Sequence, residues 1–172
     1  KTKPIKNYSN LKLTKEFLGL YAVNNSNPSA HSKAQAYLNY FEKFYGNQPG
    51  VLDSAKLYIN KSNKLKNDLW VHYYYLSNQY SEIINIVNSN PDYPFQSWNL
   101  YRIGQAYLNL ADYKNAEKWL NKAYNKEPNN IEFKFKYANS LFAISSIDEA
   151  KNQYLELLDL YPKHVASLNN LG

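Results

Sequence analysis

The residues able to do acid–base, nucleophilic or metal chemistry are few in this sequence, and their placement argues against catalysis. His31, His72 and His164 lie in separate parts of the chain and form no metal-ligand pattern. Cysteine is absent, which excludes disulfides, thiolate nucleophiles and cysteine metal sites. Five glycines leave little room for a phosphate-cradling loop, and there is no nucleophile elbow or paired-carboxylate signature. Asp148 and Glu149 open an expected helix, where negative charge favours the dipole, and that role accounts for them. The reading is therefore no enzyme, no metal and no cofactor. Binding chemistry remains: 18 tyrosines bring the aromatic share to 16%, and such rings can pack and hydrogen-bond at one surface.

These side chains sit on elements that repeat. Leu100, Ile103, Gly104, Tyr107, Ala116, Leu120, Ala123 and Pro128 are answered by Lys134, Tyr137, Ala138, Leu141, Ala150, Tyr154, Leu157 and Pro162, each 34 residues on. Helices are expected over Ser97–Leu110 and Tyr113–Asn125, joined by Ala111-Asp112, and again over Ile131–Ala143 and Ile147–Leu160. Gly104 and Ala116 are expected to face each other where the first pair crosses, since bulk at either would force the helices apart.

This period, with a small residue at the crossing, an aromatic three positions on, an early alanine in the second helix and a closing proline, resembles the tetratricopeptide repeat. The resemblance covers most of the pattern in the first copy, with leucine in place of the usual tryptophan, and about half in the second. It implies an all-α fold, a right-handed superhelical α-solenoid of antiparallel helix pairs without β-sheet.

Around the regular pair the unit is less regular. Residues 1–28 read as an arm with a short helix after Thr14. Residues 29–62 form an irregular hairpin, with Ser29 capping Ala30–Tyr45, a turn at Gly46 and Pro49-Gly50, and a second helix over Val51–Lys61. Gln35-Ala36-Tyr37-Leu38-Asn39 recurs there as Gln105-Ala106-Tyr107-Leu108-Asn109. Residues 63–96 are a divergent repeat, Leu65–Leu76 and Tyr80–Asn88, in which Val71 and Ile83 replace the small residues. Within it Tyr74 is expected inside, Tyr75 in a groove and Tyr73 between units or outside. Residues 97–130 and 131–164 are the regular repeats. Residues 165–172 begin a further one, and with methionine absent even at position 1 this suggests a segment of a longer or processed protein.

The resemblance also implies a site, because first helices of such repeats line a concave groove for a bound peptide. The corresponding positions are Trp98, Tyr101, Arg102, Gln105, Leu108 and Asn109, then Glu132, Phe135, Lys136, Asn139, Phe142 and Ala143. The divergent repeat offers Asp68, His72 and Tyr75. Amides suit a peptide backbone, rings suit apolar side chains, and Arg102 or Lys136 suits an acidic group. The positions that clamp a C-terminal carboxylate in one subset of the family hold Tyr101, Gln105, Lys136, Ala166 and Asn170, and that subset is not matched.

Charge and hydropathy complete the expectation. The formal charge of +6 is modest, with lysines concentrated at Lys56, Lys61, Lys64 and Lys66, and reads as a solvated face rather than a nucleic-acid footprint. No apolar run approaches the roughly 20 residues of a membrane span. The expected function is a non-enzymatic scaffold binding a peptide or partner domain. A bacterial cell-envelope module of a polysaccharide export or surface machine, with a glycan polymer as ligand, is the alternative, and periplasm or envelope is favoured over cytoplasm. RNA binding by helical repeats is a third class, disfavoured by the 34-residue spacing.

Overall fold

A computed structural model describes residues 29–43 and 50–171. The arm, the short helix after Thr14 and the turn at Gly46 and Pro49 lie outside these residues. Among the described residues there are nine α-helices and no strand: α1 (Ala30–Lys43), α2 (Val51–Lys61), α3 (Lys66–Leu76), α4 (Tyr80–Ser89), α5 (Ser97–Asn109), α6 (Tyr113–Lys126), α7 (Ile131–Ala143), α8 (Ile147–Leu160) and α9 (Val165–Leu171). The all-α helical-repeat reading of the sequence holds. The chain divides into two compact units, residues 1–78 and 79–172. Their boundary falls inside the stretch 63–96.

In the first unit, helical spacing gathers one core. Ala34, Tyr37 and Leu38 of α1 meet Val51, Ala55 and Ile59 of α2 and Leu69 and Tyr73 of α3, each set recurring at three or four residues and so falling on one face. The ring of Tyr37 stacks on that of Tyr58 at 5.8 Å. Ser29 Oγ accepts the backbone N–H of Ser32 at 3.1 Å, so it caps α1 as expected. In the tyrosine run Tyr73 packs between repeat units, one of its two expected places, whereas Tyr74, expected inside, stays half-buried. Tyr73 is the buried member, packed on the hairpin before it, while Tyr74 and Tyr75 are half-buried. The reason is angular: Leu69 and Tyr73 lie one turn apart and share the face that α1 and α2 cover, whereas Tyr74 is turned by about 100°. Tyr74 stacks instead on Trp70 at 5.2 Å.

In the second unit, α5 and α6 form the most regular hairpin. Ile103, Ala106, Ala116, Leu120 and Ala123 have no exposed surface, and full burial of a leucine or isoleucine stabilises by about 1.5–3 kcal/mol. Gly104 marks the crossing, but the residue it admits is Leu120 rather than Ala116. A Cβ on Gly104 would stand 2.6 Å from Leu120 Cγ, 2.8 Å from its Cδ2 and 3.2 Å from its backbone nitrogen. α7 and α8 repeat the arrangement with Ala138, Leu141, Ala150 and Tyr154.

The turns inside the two hairpins are copies of each other. Ala111 and Ser145, 34 residues apart, are both left-handed, at φ 59° and 65°. Asp112 N–H donates to Tyr107 O and Ala111 N–H to Leu108 O; Ser146 N–H donates to Leu141 O and Ser145 N–H to Phe142 O. This pair of hydrogen bonds closes the last carbonyls of α5 and α7 and reverses the chain. Each next helix then starts on schedule, α6 with Asp112 Oδ1 accepting Asn115 N–H at 3.2 Å. Asn130 caps α7 in the same way, accepting from Glu132 and Phe133.

Candidate functional site

The second unit brings part of the expected groove together. Tyr101 and Trp98 on α5 reach Glu132 and Phe133 at the start of α7. Tyr101 Oη donates to Glu132 Oε1 at 2.6 Å, and its ring stacks on Phe133 with centroids 5.3 Å apart. Trp98 sets its edge against both rings, at 5.7 Å to Tyr101 and 4.8 Å to Phe133. Phe133 is absent from the sequence reading because its counterpart in the previous repeat is Asn99, so the 34-residue register carries no aromatic signal. Tyr101 is buried by these contacts, while Trp98 keeps 44% of its surface exposed.

One turn further along α7 the side chains lock helices together. Phe135 meets the rings of Tyr154 and His164. Asn139 Oδ1 accepts from Tyr154 Oη at 2.7 Å and from Asn170 Nδ2 at 3.1 Å, and the same Asn170 amide donates to Tyr154 Oη. Burial pushes the Tyr154 hydroxyl above its ordinary value, against the opposing pull of Asn170. Phe135 and Asn139 therefore join α7 to α8, to His164 and to α9.

Other expected positions remain open to solvent. Phe142 is 55% exposed near the end of α7, Asn109 is exposed with its amide bonded to Gln105 O, and Glu132 is exposed. Gln105, Leu108 and Lys136 are half-buried, and Ala143 is exposed.

Arg102, Asp68 and His72 depart from the expectation of groove-facing polar groups. Arg102 is 7% exposed, with Nη1 donating to Asn99 Oδ1 at 3.1 Å within α5. Arg102→Glu would bury a carboxylate beside an amide oxygen. Asp68 and His72 are also buried. His72 Nε2 lies 3.2 Å from Glu42 Oε2 and its Nδ1 lies 3.4 Å from Gln35 Nε2. This polar contact ties α3 to α1 across 30 or more residues, which local spacing does not reveal. Tyr75, in the same helix, is half-buried. Among the described residues no group of three histidine or acidic side chains could hold a metal ion.

The geometry of repeated antiparallel hairpins with small residues at the crossing is matched by known proteins. Residues 99–130 match the tetratricopeptide repeat family model. The fold resembles the crystal structure of TTC0263, a thermophilic tetratricopeptide repeat protein of Thermus thermophilus, with a TM-score of 0.59 over 95% of this chain and 97% of that one, at 13% sequence identity. No curated protein matches the chain in sequence. The chain thus contains a tetratricopeptide repeat at 99–130, and its fold is that of a tetratricopeptide repeat protein. No helix among the described residues is long and apolar enough to cross a membrane.

Proposed function

We propose that the chain is a non-enzymatic interaction scaffold whose second unit holds an extended peptide or a segment of a partner domain along α5 and α7. The observation that carries this reading is the pair of exposed aromatics, Trp98 near the start of α5 and Phe142 near the end of α7. Phe142 occupies the repeat position of Leu108, ten residues beyond that of Trp98, which is about 15 Å along the helix axis at 1.5 Å per residue. An extended segment of more than about five residues covers that rise together with the sideways step from α5 to α7. Large exposed rings are the side chains that most often anchor interfaces. Between them Glu132, held by Tyr101, together with Asn109 and half-buried Lys136, supplies groups for a peptide backbone and its charges.

A peptide-display selection against the whole chain tests this. Selected peptides are expected to lose binding to Trp98→Ala and Phe142→Ala proteins that melt like the parent. Selection that yields only peptides indifferent to both changes would sink the reading.

The envelope reading rests on a different use of the same ring. Trp98 and Glu132, an exposed indole and an exposed carboxylate that both touch Tyr101, can stack on a sugar face and accept from its hydroxyls. Titration with acidic and neutral oligosaccharides, read by tryptophan fluorescence, separates it: saturable quenching lost in Trp98→Ala favours a glycan ligand in a bacterial envelope assembly, and an unchanged spectrum removes it.

A further inference from the structure

The second helices of the two regular hairpins carry opposite charge in matching rows. On α6, Lys114, Lys118, Lys122 and Lys126 follow one another every four residues, all exposed, and Glu117 is the one carboxylate within the helix. On α8, Asp148, Glu149, Glu156 and Asp159 are exposed, and Lys151 is the one cation. Both helices pack on α7. Buried Lys134 of α7 lies between them, its Nζ 2.8 Å from Glu156 Oε2 and 5.7 Å from the ring centre of Tyr124 on α6.

Two of the four α6 cations are held in place. Lys122 Nζ stands 4.1 Å over the Trp119 ring, and Lys126 Nζ donates to Phe95 O at 2.8 Å. Among the described residues none of the four is paired with a carboxylate. The segregation is by helix and not by unit, since residues 79–172 hold nine basic and ten acidic side chains. A polyanion laid on α6 would find no net attractive field and would meet the carboxylates of α8 within about a Debye length. A partner with the same two stripes in reverse order meets no such penalty.

We propose that this partner is a second copy of the chain. α6 and α8 run in the same direction, each antiparallel to α7, so a twofold axis parallel to both lays α6 of one protomer along α8 of the other, running the same way, and the converse contact follows by symmetry. The rows match in length: twelve residue steps from Lys114 to Lys126 and eleven from Asp148 to Asp159, about 18 Å and about 17 Å. In that register Lys114 meets the partner's Asp148, Lys122 the partner's Glu156 and Lys126 the partner's Asp159. The exposed Leu155 beside Glu156 is then covered by the aliphatic stem of Lys122. Exposed ion pairs are individually weak and screened by salt, so the dimer forms at low ionic strength and protein concentrations of about 100 μM.

Sedimentation velocity on the full chain tests this with a reciprocal charge swap. The parent is expected to sediment as a dimer in about 20 mM salt and as a monomer in about 500 mM. Lys114→Glu with Lys126→Glu, and separately Asp148→Lys with Asp159→Lys, should each be monomeric at low salt. An equimolar mixture of the two variants should recover the dimer, because every reversed contact regains its opposite charge. Helical circular dichroism of each variant confirms that loss of dimer is not loss of fold. A parent that stays monomeric at low salt, a dimer that survives either pair of changes, or a mixture that stays monomeric would each overturn the proposal.

Discussion

The Tyr101 hydroxyl donates to the Glu132 carboxylate at 2.6 Å across 31 residues of sequence, fixing the first helix of one repeat to the first helix of the next. The same tyrosine stacks on Phe133, so the contact joins a charge-assisted hydrogen bond to ring packing. A hydrogen bond to a charged group contributes about 1.5–3 kcal/mol when well shielded, and less here because Glu132 is exposed. A double-mutant cycle of Tyr101→Phe and Glu132→Ala, read by urea unfolding, should give a coupling of about 1 kcal/mol. Coupling within error of zero would mean the bond does not hold in solution.

Gly104 sets how closely α5 and α6 approach. The helix gains about 1 kcal/mol of intrinsic propensity when glycine becomes alanine, yet the new Cβ would press to 2.6 Å on Leu120 Cγ, a side chain with no exposed surface. Overpacking of this kind costs about 1–3 kcal/mol. Gly104→Ala should therefore be neutral to destabilising, and Gly104→Leu should lose about 1–3 kcal/mol or more. Adding Leu120→Ala to Gly104→Ala should recover part of the overpacking cost; strict additivity of the two losses in urea midpoints would contradict the crossing described.

At the two hairpin turns a residue with a side chain occupies a conformation suited to glycine. Ala111 and Ser145 have positive φ, which costs an L-residue about 1–2 kcal/mol, while glycine's extra freedom in the unfolded chain offsets part of the gain. Ala111→Gly and Ser145→Gly are each expected to stabilise by up to about 1 kcal/mol and to raise the melting temperature by a few degrees. A fall in melting temperature for both would be inconsistent with the turn geometry.

Alkaline pH should weaken the fold through four tyrosines. Burial first, and nearby carboxylates for Tyr73, Tyr107 and Tyr137, hold these hydroxyls above the ordinary 10.0, while burial alone raises Tyr154. Above pH 10 the unfolded chain gives up protons that the native state keeps, so their stabilising contribution is complete below about pH 10 and is lost as pH rises through the folded values. Tyrosinate absorbance should show a late-titrating fraction in the native protein that disappears in urea, with urea midpoints falling over the same range. Coincident native and unfolded titrations would refute this.

Much of the fold was legible because small residues, turn residues and apolar spacing all repeat at one period. The bounds of α2, α7 and α8 match the reading from sequence, and Asp112 and Ser29 cap as their types suggest. The site was less legible, since facing a neighbouring repeat and facing solvent have the same local pattern. Position alone placed Arg102, Asp68 and His72 in a groove, whereas Asn99 lies one turn before Arg102 in the same helix, and Glu42 and Gln35 lie beside His72 at separations no helical period encodes. Phe133 and the Asn139–Tyr154–Asn170 cluster likewise depend on how one helix meets the next. Trp98 and Phe142, both expected at the groove, keep exposed rings.

The central claim, that a partner is held along α5 and α7, is tested most directly by affinity measured on one selected peptide against two surfaces of the same protein. Trp98→Ala with Phe142→Ala should lower its affinity at least about tenfold, the effect of losing an interfacial ring worth about 1.4 kcal/mol or more. Leu155→Ala on α8 should leave the affinity unchanged, with both proteins melting within a few degrees of the parent. Full affinity in the double variant with loss in Leu155→Ala would place the binding surface on the opposite row of helices and contradict the account.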